Sequence, residues 1–124
     1  MNLVDSCGWL EFFGRGKNLG FFLPVIRNTD ELIVPTICIY EVLKKAAQMV
    51  DEDEVREAGA VMKSGLVIDL DLGIAVSAAR LSNLTKLPLA DSIILATARA
   101  HNATIWTQDE HFKDLPGVEY IEKK

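Results

Sequence analysis

Four carboxylates stand where the surrounding residues are of the core type. Asp5 closes the run Leu3-Val4-Asp5-Ser6, and Glu41 lies inside Ile37-Cys38-Ile39-Tyr40-Glu41-Val42-Leu43. Asp91 sits in Leu89-Ala90-Asp91-Ser92-Ile93-Ile94, and Asp109 follows Ile105-Trp106-Thr107-Gln108. Each acid alone has an ordinary explanation. Asp91 reads as a helix N-cap worth about 1 kcal/mol, and Glu41 as a surface acid paired with Lys45 four residues on. Asp5 and Asp109 read as a strand-end and a turn residue bonded to nearby N–H groups. Taken together the four are harder to explain that way, because acids brought to one place repel and push one another's pKa values up. A divalent cation removes the conflict. Mg²⁺ or Mn²⁺ takes oxygen ligands, and a carboxylate pocket with open positions leaves room for water and a phosphate.

The elements that must position these acids are legible as apolar runs. Asn2–Asp5, Leu32–Pro35, Leu66–Asp69 and Thr104–Thr107 read as buried strands, with Val118–Ile121 as a weaker fifth. None shows a convincing polar face, as expected of a parallel sheet covered on both sides. Helical spacing fills the intervals. Val55, Ala58 and Met62 follow the acidic run Asp51–Glu54, which suits a helix N-terminus. Leu72, Ala75, Val76 and Ala79 form an apolar stripe behind Asp71, a plausible N-cap, and Ile93–Ala100 is apolar almost all round. Strands alternating with helices predict right-handed crossovers and a parallel three-layer α/β domain. In such a sheet ligands bind beyond the carboxyl ends of the strands, where Asp5 and Asp109 fall.

Composition sets the outer limits. The chain has 124 residues, 49% hydrophobic and 25% charged, which suits one globular domain over residues 1–124 and excludes disorder or a disulfide scaffold. Lys+Arg 13 against Asp+Glu 18 gives a net charge of −5. That balance argues against holding nucleic acid by bulk electrostatics, but not against a protein that brings cations to its acids. Cys7 and Cys38 read as free buried thiols of a reducing cytosol. Asp5 comes too early for a signal peptide, and no apolar run approaches a membrane span, so a cytoplasmic protein without membrane attachment is expected. Gly14–Gly20 matches neither the Walker nor the Gly-x-Gly-x-x-Gly spacing and is read as a loop between two short helices.

In their order along the chain, these segments resemble the PIN-domain ribonucleases, specifically the VapC toxins of toxin–antitoxin pairs. The resemblance runs through LVDS with Trp9-Leu10, IVPTICIYEV, IAVSAARL, LPLADSIILATARAHNATIWTQD and Phe112, essentially the whole chain. It implies a three-layer α/β/α domain with a central parallel five-stranded sheet in the order 3-2-1-4-5. It places the family's acidic quartet on Asp5, Glu41, Asp91 and Asp109, with Ser6 and Thr107 at accessory polar positions. The implied activity is metal-dependent endonucleolytic cleavage of RNA, in which Mg²⁺ or Mn²⁺ orients the scissile phosphate, activates water and stabilises the leaving oxygen. The implied partners are a VapB-like antitoxin, which also binds operator DNA, and a second copy of the chain. Arg15 and Lys17 of the glycine-rich loop are candidates for contact with an RNA backbone. The sequence departs from the pattern at His111, where many relatives carry a second aspartate; His101 and His111 lack metal-ligand spacing and are read as surface or turn residues. Two alternatives stay open at this point. One is a PIN-like module that binds a partner without cleaving. The other is a haloacid-dehalogenase-type phosphatase using Asp69 of Asp69-Leu70-Asp71, which lacks the Thr that such motifs carry two residues after the second Asp.

Overall fold

A computed structural model of the chain describes residues 1–124. β1 (Asn2–Val4) leads into α1 (Ser6–Gly14) and α2 (Leu19–Arg27), and a 3₁₀ turn over Thr29–Glu31 enters β2 (Leu32–Pro35). Then come α3 (Thr36–Ala46), α4 (Glu52–Met62), β3 (Leu66–Ile68), α5 (Leu72–Thr85) and α6 (Leu89–Ala100). β4 (Thr104–Thr107), a 3₁₀ turn over Glu110–Phe112 and β5 (Val118–Tyr120) complete the chain. The five strands form one parallel sheet in the order 3-2-1-4-5, with helices on its faces, as expected. No helix is long and apolar enough to cross a membrane.

Local chemistry explains most boundaries. All four residues of β2 are buried, and Pro35 is its last residue, opposite Ile68 of β3. Asp51 caps α4 by accepting from Glu54 N, and Glu52, Asp53 and Glu54 complement the helix dipole. Asp71 caps α5 by accepting from Ile74 N at 2.9 Å, the role expected of it. The central strands pair in register, Leu3 opposite Ile33 and Ile105, and these residues with Val4, Leu32 and Val34 form the buried middle of the core. Because every strand runs the same way, all five carboxyl ends share one edge.

Two expectations about faces are corrected. The stripe Leu72, Ala75, Val76 and Ala79 does not face the core: α5 packs on α6 through Ile74 and Ala78, roughly the opposite side. Leu72 is 81% exposed and Leu84 80% exposed, because both faces of α5 are apolar and periodicity cannot choose between them. β3 is not covered on both sides either. It is an edge strand whose Leu66 and Val67 are exposed.

The start of α1 is fixed by a close approach. A Cβ at Gly8 would lie 2.6 Å from both Phe22 Cδ1 and Val4 Cγ1, side chains that are fully buried. At Gly20, inside α2, a Cβ meets nothing within 4 Å. Gly8→Ala is therefore expected to destabilise the protein by about 1–3 kcal/mol, and Gly20→Ala to stabilise it by about 0.5–1 kcal/mol. Urea midpoints test both, and a Gly8→Ala midpoint equal to the parent's contradicts this packing.

Candidate active site

Asp5 follows β1 directly, and its backbone N–H donates to Trp106 O at 3.0 Å, which ties it to β4. Its Oδ1 accepts from Ser6 N at 2.8 Å; its Oδ2 accepts from Thr107 Oγ1 at 2.7 Å and from Cys7 Sγ at 3.4 Å. The residue is only 4% exposed. Thr107 Oγ1 in turn accepts from Asp109 N at 2.9 Å, so one hydroxyl joins the ends of the neighbouring segments. Glu41, in the second turn of α3, accepts from Ser6 Oγ at 2.7 Å; it turns inward rather than pairing with Lys45.

Asp91 is the third residue of α6 and not its cap. Pro88 holds the position before the helix, so Asp91 faces out of the first turn and is free for other contacts. Its Oδ2 lies 2.9 Å from His111 Nδ1. Asp109 Oδ1 accepts from His111 N at 2.9 Å and lies 3.2 Å from the same Nδ1. One carboxylate and one imidazole thus meet across 20 residues of sequence.

Electrostatics confirm how close the acids are. The Asp5 carboxyl is raised to about 6, first by burial and also by the charge of Asp91, against the hydrogen bonds from Thr107, Cys7 and Ser6. Asp91 is raised as well, by burial first and then by the charges of Asp109 and Glu41, with His111 opposing. Hydrogen bonding to Asp91, then the charge of Asp109, raises His111. Burial and the charge of Asp5 push the Cys7 thiol up to about 12 and Cys38 well above its ordinary value, so neither is a thiolate nucleophile. What remains is a set of hard oxygen donors that repel one another, with one imidazole at the rim. That chemistry fits a divalent cation.

The structure thus gathers Asp5, Glu41, Asp91 and Asp109 at one sheet edge, with Ser6 and Thr107 between them. His111 is exposed in a turn, as read, but it also meets Asp91 and Asp109 of this cluster. Its donor partners lie in the fold rather than at a recognisable spacing. His101 does sit in the turn after α6; the loop between α1 and α2 is shorter than expected, residues 15–18, because Gly14 ends α1 and Leu19 and Gly20 open α2, and it leaves Arg15 and Lys17 exposed. Asp69 is exposed at the end of edge strand β3, apart from the cluster. A second group escaped the sequence reading. Asn18 Nδ2 donates to Gln108 Oε1 at 2.7 Å and to Glu122 O, and Asn18 N donates to Glu11 Oε2 at 3.0 Å. These bonds brace Gln108, between Thr107 and Asp109; with Asn18 and Gln108 90 residues apart, no local pattern signals them.

A family model described as the PIN domain matches residues 3–118. The chain belongs to the PIN-domain family. Solved structures agree with this PIN fold over nearly its whole length. A toxin–antitoxin complex from Klebsiella pneumoniae superposes with a TM-score of 0.80 at 25% identity, covering 96% of each chain. VapC20 of Mycobacterium tuberculosis, a sarcin–ricin loop cleaving toxin, has a TM-score of 0.79 at 12% identity, covering 94% of this chain and 95% of its own. VapBC2 from Rickettsia felis, bound to a DNA fragment from its promoter, has a TM-score of 0.75 at 14% identity, covering 99% and 98%. No curated protein sequence matches this chain.

The raised pKa of Asp5 carries a stability signature. A group whose folded pKa lies above its unfolded value, about 3.9 for Asp, stabilises the fold while protonated. That contribution is complete below about pH 4 and is lost as pH rises through the folded value of about 6. In chelator at about pH 7.5, Asp5→Asn is expected to be more stable than the parent by roughly 1–3 kcal/mol, the difference vanishing towards about pH 4. Urea unfolding at both pH values measures it, and an Asn variant no more stable at the higher pH contradicts the burial argument.

Proposed function

We propose that this PIN domain is a divalent-metal-dependent endoribonuclease, acting in the cytoplasm as the toxin of a toxin–antitoxin pair. The observation that carries the reading is the meeting of Asp5, Glu41, Asp91 and Asp109, from four separate segments, at the carboxyl edge of the sheet. Asp5, Glu41 and Asp91 would be the principal holders of Mg²⁺ or Mn²⁺, directly or through water, and Asp109 would complete the set. The bound ion would neutralise the cluster, polarise a phosphodiester and supply activated water at neutral pH. The chain's own residues prepare that chemistry. Thr107 fixes the rotamer of Asp5 and the backbone of Asp109 together, and Ser6 aims Glu41. Oriented donors of this kind keep a metal site from rearranging during turnover. Neither a side-chain nucleophile nor a general-base histidine is required.

The net charge of −5 belongs to this proposal. With much of the acid gathered at one site, RNA engagement would depend on the ion and on rim cations such as Arg15 and Lys17. A partner surface is also available. α3 and α4 enclose a groove of about 470 Å³ whose apolar lining includes Ile39, Leu43, Val50 and Val55. Several relatives of this fold are complexes with antitoxins, some on promoter DNA, which supports a VapB-like partner. The exposed Leu72, Val76 and Leu84 of α5 and Leu89 at the start of α6 would supply apolar surface for a homodimer.

RNA cleavage with Mg²⁺ or Mn²⁺ is expected to stop in EDTA and to fall by more than about 100-fold in Asp5→Asn and Asp91→Asn. Ser6→Ala and Thr107→Val should lose about 10- to 100-fold, as for residues that orient metal ligands. Wild-type protein that leaves structured and single-stranded RNAs intact contradicts the nuclease reading and favours a module that only binds. Asn variants that cut as well as wild type contradict the site. In light scattering, the paired substitution Leu72→Lys and Leu84→Lys should turn a dimer into a monomer, and a monomeric wild type contradicts the dimer.

A further inference from the structure

We propose that His111 is a nitrogen ligand of the divalent ion, so that the site takes Mn²⁺, or a later first-row ion, in preference to Mg²⁺. The inference rests on the metal-dependent reading above and adds to it one ligand and a selectivity. Its basis is geometric. His111 Nδ1 lies 2.9 Å from Asp91 Oδ2 and 3.2 Å from Asp109 Oδ1. One donor atom from each of the three residues falls within 4.8 Å of the others. Neighbouring ligands around a six-coordinate ion with bonds near 2.1 Å lie about 3 Å apart. The two separations from His111 Nδ1 therefore already match neighbouring positions in a coordination shell, with the third donor pair within 4.8 Å.

The backbone holds them there. His111 N donates to Asp109 Oδ1, which closes the 3₁₀ turn and fixes the carboxylate and the imidazole relative to each other. Phe112, the next residue, is fully buried and anchors the turn to the core. The His111 side chain is 56% exposed, so no burial against the protein accounts for its position. Its contacts are the two acids.

The consequence for the ion follows from donor chemistry. Mg²⁺ favours oxygen in a regular octahedron and sheds water reluctantly, whereas affinity for a site that includes nitrogen rises from Mn²⁺ through the later first-row ions. An aspartate in this place, as the VapC pattern has it, would give an all-oxygen set. His111→Asp is thus the substitution that should return the site towards Mg²⁺.

Pulsed electron paramagnetic resonance of Mn²⁺ bound to the full chain, combined with Mg²⁺ competition, tests this without reference to cleavage. Wild type is expected to show nitrogen modulation from an imidazole, and His111→Asp and His111→Ala to lose it while still binding Mn²⁺. The ratio of Mn²⁺ to Mg²⁺ affinity should fall by about tenfold or more in His111→Asp. Bound Mn²⁺ without nitrogen modulation in wild type overturns the inference and leaves the carboxylate site standing, provided that Asp91→Asn weakens binding. An affinity ratio unchanged in His111→Asp overturns the selectivity. Absence of Mn²⁺ binding overturns both this inference and the metal-dependent reading. The wild-type spectrum alone decides nitrogen ligation, so the result does not depend on how well either variant folds.

Discussion

Thr107 donates a hydrogen bond to Asp5 at 2.7 Å while accepting one from the backbone of Asp109 at 2.9 Å. This single hydroxyl joins the end of β1 to the turn after β4, and the remaining acids are arranged around it. Asp5 has almost no access to water, so its negative charge must be offset by hydrogen bonds or by a cation. Three donors reach it, yet its pKa stays raised at about 6, which means the bonds compensate burial only in part. The unrelieved part, shared with Asp91 through their mutual repulsion, is what would give the site an affinity for positive charge.

The parallel sheet is what makes that strain sustainable. The core of β1, β2 and β4 is buried on both faces and independent of the acids, so the edge can carry destabilising charge without loss of the fold. Crossover helices then deliver acids from distant parts of the chain to the same edge: Glu41 from α3 and Asp91 from the first turn of α6. The bracing by Glu11, Asn18 and Gln108 belongs to the same design. It fixes Gln108, between Thr107 and Asp109, through hydrogen bonds to Asn18 and Glu11.

Much of this was legible in the residues. Strand runs ending in Asp5 or followed by Asp109 carry their own boundaries, since an apolar run gives way there to polar and charged residues. The parallel arrangement of the first four strands follows from the helices between them, and the strand order from the resemblance carried by segments such as LADSIILATA. Three features were not legible, each for a physical reason. α5 is apolar on two faces, and only packing on α6 selects Ile74 and Ala78 over Leu72 and Val76. Asp91 looked like a cap because caps are commonly acidic, but Pro88 occupies that position and leaves Asp91 free within the first turn. His111 meets Asp91 only through the tertiary fold, so no spacing rule could have found it.

The central claim is that these four carboxylates form a binding site for a divalent ion. Anomalous diffraction at the manganese edge, from crystals grown with saturating Mn²⁺, addresses it most directly. The account predicts a manganese peak enclosed by Asp5, Glu41, Asp91 and Asp109. Ordered side chains at all four positions with no anomalous peak among them would contradict it.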